Sequence, residues 1–232
     1  IVASAEPSYL TIPLPADEQG RLSASAWERL AALVPGQTAI AIGPGWGQSD
    51  ELTELARRLY ADVELPMVVD ADGLNALAKI PEALAQRPQL NGGPAPRILT
   101  PHPGEFSRLA RVSTREIQNA RAELAVGFAR DHELVLVLKG RGTLVTDGRR
   151  LYENTTGNAG LATGGTGDVL TGLVTALAAQ EMDAFEAAQL GVYLHGLAGD
   201  LAAEELSQPG LIASDLPRYV AAAWKQILPA DR

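Results

Sequence analysis

The 232-residue chain contains no cysteine, which excludes a disulfide framework, a thiolate metal site and a cysteine nucleophile. Aromatic side chains are scarce, with three Phe, three Trp and five Tyr. No apolar run approaches the roughly 18 residues of a membrane span, so the sequence reads as a soluble protein with no membrane partner. Positive charge is also in short supply, 19 basic against 28 acidic side chains for a net charge of −9. A field of that sign argues against general nucleic-acid binding. Repeats and low-complexity tracts are absent as well. What is left is an ordinary globular composition, 46% hydrophobic and 20% charged, long enough for a core of good size. A chain without cysteine fits a reducing cytosol, and a cytoplasmic location is expected. The chain opens on Ile1-Val2-Ala3, without a Met and already strand-like, as if cut from something longer.

Helical and strand signals alternate along the sequence, the pattern of an α/β fold with a mostly parallel sheet. After a short strand at the start, Ser23 is expected to cap a helix reaching Leu33-Val34 and stopped by Pro35-Gly36. The apolar run Thr38 to Ile42 reads as a buried parallel strand. Ser49-Asp50-Glu51 then opens an amphipathic helix to Ala61. Met67-Val68-Val69 and Arg97-Ile98-Leu99 are the next strands, with a Pro/Gly-rich connector from Pro88 to Pro96 between them. Thr114 to His132 reads as one long helix, and Leu134 to Lys139 as the most apolar strand. Gly142 to Val145 and Arg150 to Glu153 form a hairpin turned by Asp147-Gly148. Helices at Thr166–Gln180, Asp183–Glu205 and Ser214–Leu228 complete the chain. No linker divides it, so one domain over residues 1–232 is expected.

Ligands of parallel α/β sheets sit beyond the carboxyl ends of the strands. Four strands here end in loops with chemical content: Gly43 to Gly47, Asp70 to Asn75, Thr100 to Glu105, and Lys139 to Thr143. Glycine is also crowded, six of the 23 falling between Gly157 and Gly172. These glycines lead into a helix with an apolar stripe of Val169, Leu170, Leu173, Val174 and Leu177. A glycine-rich loop feeding a helix N-terminus offers free backbone N–H groups and the positive end of the helix dipole, which suits phosphate. It is no Walker A loop, lacking Gly-Lys-Ser/Thr, and the G-x-G-x-x-G spacing is absent. Asp168 lies in the first turn of that helix. It either complements the dipole or acts as a general base toward a substrate hydroxyl during phosphoryl transfer.

Other residues leave two readings open. His102, between two prolines, is either a surface loop histidine or a held ligand group. Lys139 ends a buried strand and either snorkels to water or meets a nucleotide. Gly142 and Thr143 are read as backbone contacts. Asp72 is read as a turn or cap residue, and Asp70 is left open. Trp46 is an exposed stacking ring or a lid against another subunit. His195 is read as a satisfied core or interface histidine, and His132 as a partner of a helix dipole.

The segments Val69-Asp-Ala-Asp-Gly-Leu-Asn75, Leu99-Thr-Pro-His-Pro-Gly-Glu105 and Asn158-Ala-Gly-Leu-Ala-Thr-Gly-Gly-Thr-Gly-Asp168 together resemble the ADP/ATP-dependent NAD(P)H-hydrate dehydratases. The resemblance runs from residue 1 to about Lys225. It implies a ribokinase-like three-layer fold, with a mostly parallel central sheet flanked by helices. It further implies repair of hydrated NADH or NADPH, (6S)-NAD(P)HX, in a kinase-like reaction. The terminal phosphoryl of ADP or ATP goes to the ring hydroxyl, and phosphate then leaves, yielding AMP or ADP. By resemblance Asp168 is the base, and Gly165, Thr166 and Gly167 form the anion hole. Lys139, Gly140, Arg141, Gly142 and Thr143 match the nucleotide-binding strand end. Gly45 or Gly47, His102 and Asp168 would meet the hydrated dinucleotide, with Glu105 and Asn75 candidates near Mg²⁺. A homo-oligomer is expected, its Ala-rich Ala221-Ala222-Ala223 segment packing against a neighbour, and fusion to or action with an NAD(P)H-hydrate epimerase. Family members carry an earlier strand, glycine-rich turn and helix, so the resemblance implies a chain incomplete at its N-terminus, with the nucleotide half intact from Lys139 onward. Two rival readings remain: a kinase of a small alcohol, of the hydroxyethylthiazole type, and a nucleotide-binding module without catalysis. The Gly-Leu-Ala-Thr-Gly-Gly run is the feature that separates the dehydratase from the kinase.

Overall fold

The computed structural model describes residues 8–228, so the strand expected at Ile1-Val2-Ala3 lies outside the described residues. The chain runs through α1 (Ala26–Leu33), β1 (Ile40–Ile42), α2 (Asp50–Asp62), β2 (Met67–Val69) and α3 (Ala71–Lys79). A short antiparallel ribbon, β3 (Gln89–Leu90) with β4 (Gly93–Pro94), precedes β5 (Arg97–Leu99). Then come α4 (Pro103–Ala110), α5 (Thr114–Asn119), α6 (Arg121–Asp131), β6 (Val135–Leu138), β7 (Leu144–Thr146) and β8 (Leu151–Glu153). Helices α7 (Thr166–Ala178), α8 (Ala184–Leu206) and α9 (Leu216–Ile227) follow.

The main sheet has the order β1-β2-β5-β6-β7-β8. Its first four strands are parallel, with Met67 beside Ile40 and Arg97, and Ile98 beside Val135. The β7–β8 hairpin joins antiparallel, Leu138 facing Leu144. Side chains alternate across a strand, and that alternation divides the core. Met67, Val69, Leu99, Leu136 and Leu138 pack with α2 to α6, whereas Val68, Ile98, Val135 and Val137 pack with α7 and α8. The continuous apolar runs of β2 and β6 are thus the mark of strands covered on both faces. Helix α9 closes on α8 through Leu194, Ala198, Tyr219 and Ala223. The result is helix, sheet and helix in three layers, as expected of an α/β fold.

Local sequence accounts for most boundaries. Ser49 caps α2, its Oγ accepting the Leu52 N–H at 3.1 Å. Other expectations need correction. Ser23 does not cap α1: its hydroxyl bonds Ser25 at 2.6 Å, and α1 begins at Ala26 without a side-chain cap. The helix read over Thr114 to His132 is broken at Ala120, whose φ of −139° and ψ of 41° are not helical. A Ser113–Glu116 capping box starts the first piece. β1 is an edge of the described sheet rather than a buried strand, and Ala41 is exposed. His132 does stand at the C-cap of α6, its ring packed at a 52° tilt against Phe128 with centroids 4.5 Å apart, and burial lowers its pKa. Ala223 is buried inside its own chain, while Ala221 and Ala222 are exposed. Among the described residues no helix is long and apolar enough to cross a membrane.

Candidate active site

Because β1, β2, β5 and β6 are parallel, their four following loops meet at one edge of the sheet. The ladder continues one step into them. Asp70 N–H donates to the Ile42 carbonyl at 3.1 Å, Thr100 N–H to Val69 at 3.1 Å, and Lys139 N–H to Pro101 at 2.8 Å. The first two loops also touch directly, because Gly43 has a φ of +113° and its missing Cβ would run into the Asp70 carbonyl and the Gly73 N–H. Gly47 N–H donates to Asp72 Oδ2 at 2.8 Å, which engages that glycine and gives Asp72 its structural role. Gly45 leaves open space where a Cβ would stand. Trp46 is half-buried against the core rather than exposed.

At the centre lies Asp70, 1% exposed. Its Oδ1 accepts from Lys139 Nζ at 2.7 Å and its Oδ2 from the Thr171 hydroxyl at 2.8 Å. Lys139 Nζ also stands 4.0 Å from Glu105 Oε2. The lysine is therefore tethered rather than snorkelling freely. Glu105 closes a capping box on α4, its Oε2 accepting the His102 N–H at 2.8 Å while His102 Nδ1 accepts from Gly104 N–H at 2.9 Å. That bond fixes the ring and leaves Nε2 as the edge free of the cap, 3.5 Å from Glu105 Oε1. Asn75 is drawn elsewhere, its Oδ1 accepting from Arg108 Nε at 2.9 Å.

The glycine run forms the other wall. Asn158 Nδ2 donates to the Gly199 carbonyl at 2.8 Å, and Asp200 accepts the Gly157 N–H at 2.7 Å, so α8 anchors the run. Gly165 caps α7 with a φ of +89°. Thr166 turns inward, its hydroxyl donating to the carbonyls of Leu161 at 2.7 Å and Thr163 at 3.0 Å, so only its backbone is offered to a ligand. Gly167 faces the lysine: a Cβ there would lie 3.4 Å from Lys139 Nζ and 3.7 Å from Asp70 Oδ2. Asp168 is exposed in the same turn. Helix N-termini leave their first N–H groups without intrahelical acceptors, so this turn offers donors that suit an anion. The Lys139-to-Thr143 loop is braced from below. Arg121 donates to the Arg141 carbonyl at 2.7 Å and to Leu138 at 3.2 Å, while the Thr143 hydroxyl donates to Gly140 at 2.9 Å. Gly142 packs beside the Glu153 carboxylate.

His195 supports the turn from beneath. It is 9% exposed, and its Nε2–H donates to the Thr166 carbonyl at 2.9 Å. Burial, offset in part by the Thr166 bond, lowers its pKa from 6.5 to about 4. The folded state thus holds this histidine neutral, while the unfolded chain takes up the proton at higher pH. Its contribution is complete above about pH 6.5 and is lost as pH falls toward 4, about 2 kcal/mol being gone at pH 5. Urea unfolding at pH 7 and pH 5 checks this: His195→Gln should lessen the acid loss by that amount, and an unaltered pH dependence would rule it out.

The site therefore unites Asp70, Glu105, Lys139 and the Gly165–Asp168 turn, with His102 at its margin, and leaves Asn75 outside that cluster. Thr171 and Arg121 escaped the sequence reading. The signal for Thr171 was present, a polar residue four positions after Gly167 amid an apolar stripe. A groove of about 820 Å³, lined in part by Leu109, Val112, Phe128, His132 and Leu151, contains none of these site residues.

A glycine-led helix N-terminus at the carboxyl edge of a parallel sheet, with a lysine beside it, is an arrangement of α/β proteins whose chemistry suits a phosphate group. Its architecture matches a ribokinase-like superfamily protein of Enterococcus faecalis at a TM-score of 0.70 and 24% identity, over 89% of this chain and 69% of that one. The family model of the NAD(P)H-hydrate dehydratases matches residues 17–221, and the chain belongs to that family. It is 42% identical over 218 residues to the bifunctional NAD(P)H-hydrate repair enzyme of Moorella thermoacetica, covering 93% of this chain and 40% of that protein. With the ADP-dependent (S)-NAD(P)H-hydrate dehydratase of Bacillus subtilis it shares 38% over 192 residues, 81% of this chain and 64% of the relative. A crystal structure of the ADP/ATP-dependent NAD(P)H-hydrate dehydratase from Bacillus subtilis, co-crystallized with ATP and Mg²⁺, has a TM-score of 0.69 and 32% identity, over 89% of this chain and 79% of that one. The chain spans about two fifths of the length of the bifunctional relatives it matches, as with the 40% in Moorella thermoacetica. The resemblance read from the three motifs is thereby borne out. The hydroxyethylthiazole kinase of Pyrococcus horikoshii, at 19% identity and a TM-score of 0.64, shares the fold.

Proposed function

We propose that this chain dehydrates hydrated NADH or NADPH at the expense of ADP or ATP. The observation that carries the reading is the exposed carboxylate of Asp168 in the first turn of α7, directly after Gly167, where a Cβ would lie 3.4 Å from Lys139 Nζ. Phosphoryl transfer asks a protein for positioning, charge neutralisation and a base, and little else. In this reading Asp168 accepts the proton of the ring hydroxyl as its oxygen attacks the terminal phosphorus. The bond between that phosphorus and the bridging oxygen breaks, and AMP or ADP leaves with the electron pair. The ring carbon–oxygen bond then breaks, phosphate departs, and a ring proton is lost as the double bond re-forms. Backbone N–H groups of the α7 turn and the Lys139 ammonium stabilise charge on the transferring group. Gly140 to Thr143 flank the nucleotide, and His102 with Gly45 flank the dinucleotide.

Magnesium fits this site only as an ion carried in by the nucleotide. Among the described residues no group of three or more His, Cys, Asp or Glu could hold a metal, and Asn75 is engaged by Arg108. Glu105 is the nearby carboxylate for it, and the ion would neutralise phosphate charge when bound. The reading also puts the protein in the cytoplasm, as a homo-oligomer working beside or fused to an epimerase of the hydrated dinucleotide.

The test is direct: the protein is mixed with hydrated NADH and ADP or ATP, and recovery of reduced-nicotinamide absorbance is followed. Recovery that requires the nucleotide is expected. Nucleotide consumption with a thiazole alcohol and no recovery would instead select the small-alcohol kinase.

A further inference from the structure

We infer that Asp70 is a positioning residue, which with Thr171 holds the Lys139 ammonium over the anion-binding turn so that it meets the nucleotide phosphates. The inference deepens the reading above and rests on its assignment of that turn to a nucleotide. A lysine side chain carries about 2 kcal/mol of rotamer entropy, and an untethered ammonium at this mouth would spread over many positions. Asp70 removes that freedom. The aspartate is itself immobile, being 1% exposed, with its carbonyl locked against Gly43 and its neighbour Ala71 in the left-handed region at a φ of +49°. An alanine rarely adopts that backbone, whose cost of about 1 kcal/mol or more is borne by the surrounding packing.

The second carboxylate oxygen ties the arrangement to the helix that binds the anion. Thr171 lies on α7, one turn beyond Gly167, and its hydroxyl donates to Asp70 Oδ2 at 2.8 Å. One carboxylate thus links the lysine and the phosphate-binding helix, and fixes their separation. Gly167 completes the geometry, since the ammonium rests 3.4 Å from where its side chain would begin. An ammonium has three donors; the bond to Asp70 uses one and leaves two for an arriving phosphate. The aspartate also offsets the cost of keeping a part-buried cation in place before the nucleotide arrives.

Nucleotide affinity, measured by calorimetry with the Mg²⁺ complex of ADP, tests the assignment in a double-mutant cycle on the whole chain. Lys139→Met should weaken binding by about 30-fold, the worth of a charge-assisted hydrogen bond. Asp70→Asn should weaken it by about 10-fold, and the double variant no more than Lys139→Met alone, because Asp70 acts through the lysine. In turnover the KM for nucleotide should rise while that for the hydrated dinucleotide holds. Should Asp70→Asn not fold, Thr171→Val completes the same cycle, with about a 3-fold loss that vanishes in the Lys139→Met background. Multiplicative losses, unchanged affinities, or a raised Mg²⁺ requirement in Asp70→Asn would each overturn the assignment. Coupled nucleotide binding in a wild-type chain that recovers no NADH would uphold the positioning role and overturn the dehydratase reading.

Discussion

Asp168→Asn is expected to lower turnover of hydrated NADH by about 10³-fold while nucleotide affinity stays within about 3-fold. The two quantities part because the proposed reaction gives the residue one task, as base, and none in holding the phosphates. Backbone N–H groups of Gly165 to Gly167 and the Lys139 ammonium are left intact by the change, and the asparagine fits the same exposed space. What the proposed reaction loses is its base. A purely dipole-complementing Asp168 predicts the opposite pattern, with turnover preserved and the helix destabilised by no more than about 1 kcal/mol. A binding module without catalysis predicts that no turnover exists to lose. Single-turnover recovery of reduced-nicotinamide absorbance, beside calorimetric nucleotide binding, separates the three readings. A variant that still turns over within 10-fold of wild type would remove Asp168 from the chemistry.

Much of this protein was legible because its signals are local. The run Val135 to Leu138 needs both faces covered, and β6 is buried on both. The β7–β8 hairpin turns at Asp147-Gly148 within a longer loop to Arg150, Asp147 Oδ1 accepting the Arg149 and Arg150 N–H groups and Gly148 taking a φ of +84°. The crowded glycines lead into α7. Losses occurred where the deciding contact is remote. Asp70 was ambiguous because its partners lie 69 and 101 residues away, and no periodicity records such a meeting. The break at Ala120 is similar in kind. It starts α6 where Arg121 can reach the carbonyls of Leu138 and Arg141, a demand of the loop rather than of the helix sequence. His132 misled for a local reason instead: its place at a helix end suggested charge, while Phe128 on the preceding turn of the same helix supplied an apolar wall.

Arg97 gives the second large effect, and nothing in the sequence marks it as more than a strand residue. It begins β5 at the end of the sheet opposite the candidate site, 1% exposed, and among the described residues no carboxylate pairs with it. Its guanidinium donates instead to backbone carbonyls: Tyr60 at 2.7 Å, Val63 at 2.9 Å, Leu65 at 2.9 Å and Pro96 at 3.1 Å. Two of these oxygens, Tyr60 and Val63, belong to the C-terminal end of α2, where orphan carbonyls and the negative end of the dipole accumulate. Burial lowers the arginine pKa to about 10, so it remains cationic at neutral pH. Arg97→Met keeps the apolar stem and strips every one of these bonds, leaving several buried carbonyls without donors. Each such group costs about 1–3 kcal/mol, and partial relaxation brings the expected total to about 4 kcal/mol. Arg97→Lys should recover only part of that loss, because one ammonium lacks the planar fork that reaches the Tyr60, Val63 and Leu65 carbonyls together. Urea unfolding of the three proteins at pH 7 measures the difference. Nucleotide affinity of the folded variants should be unchanged, since Arg97 opens β5 at the strand end away from the candidate site. A loss below about 1 kcal/mol in Arg97→Met would mean that water satisfies these carbonyls as well as the guanidinium does.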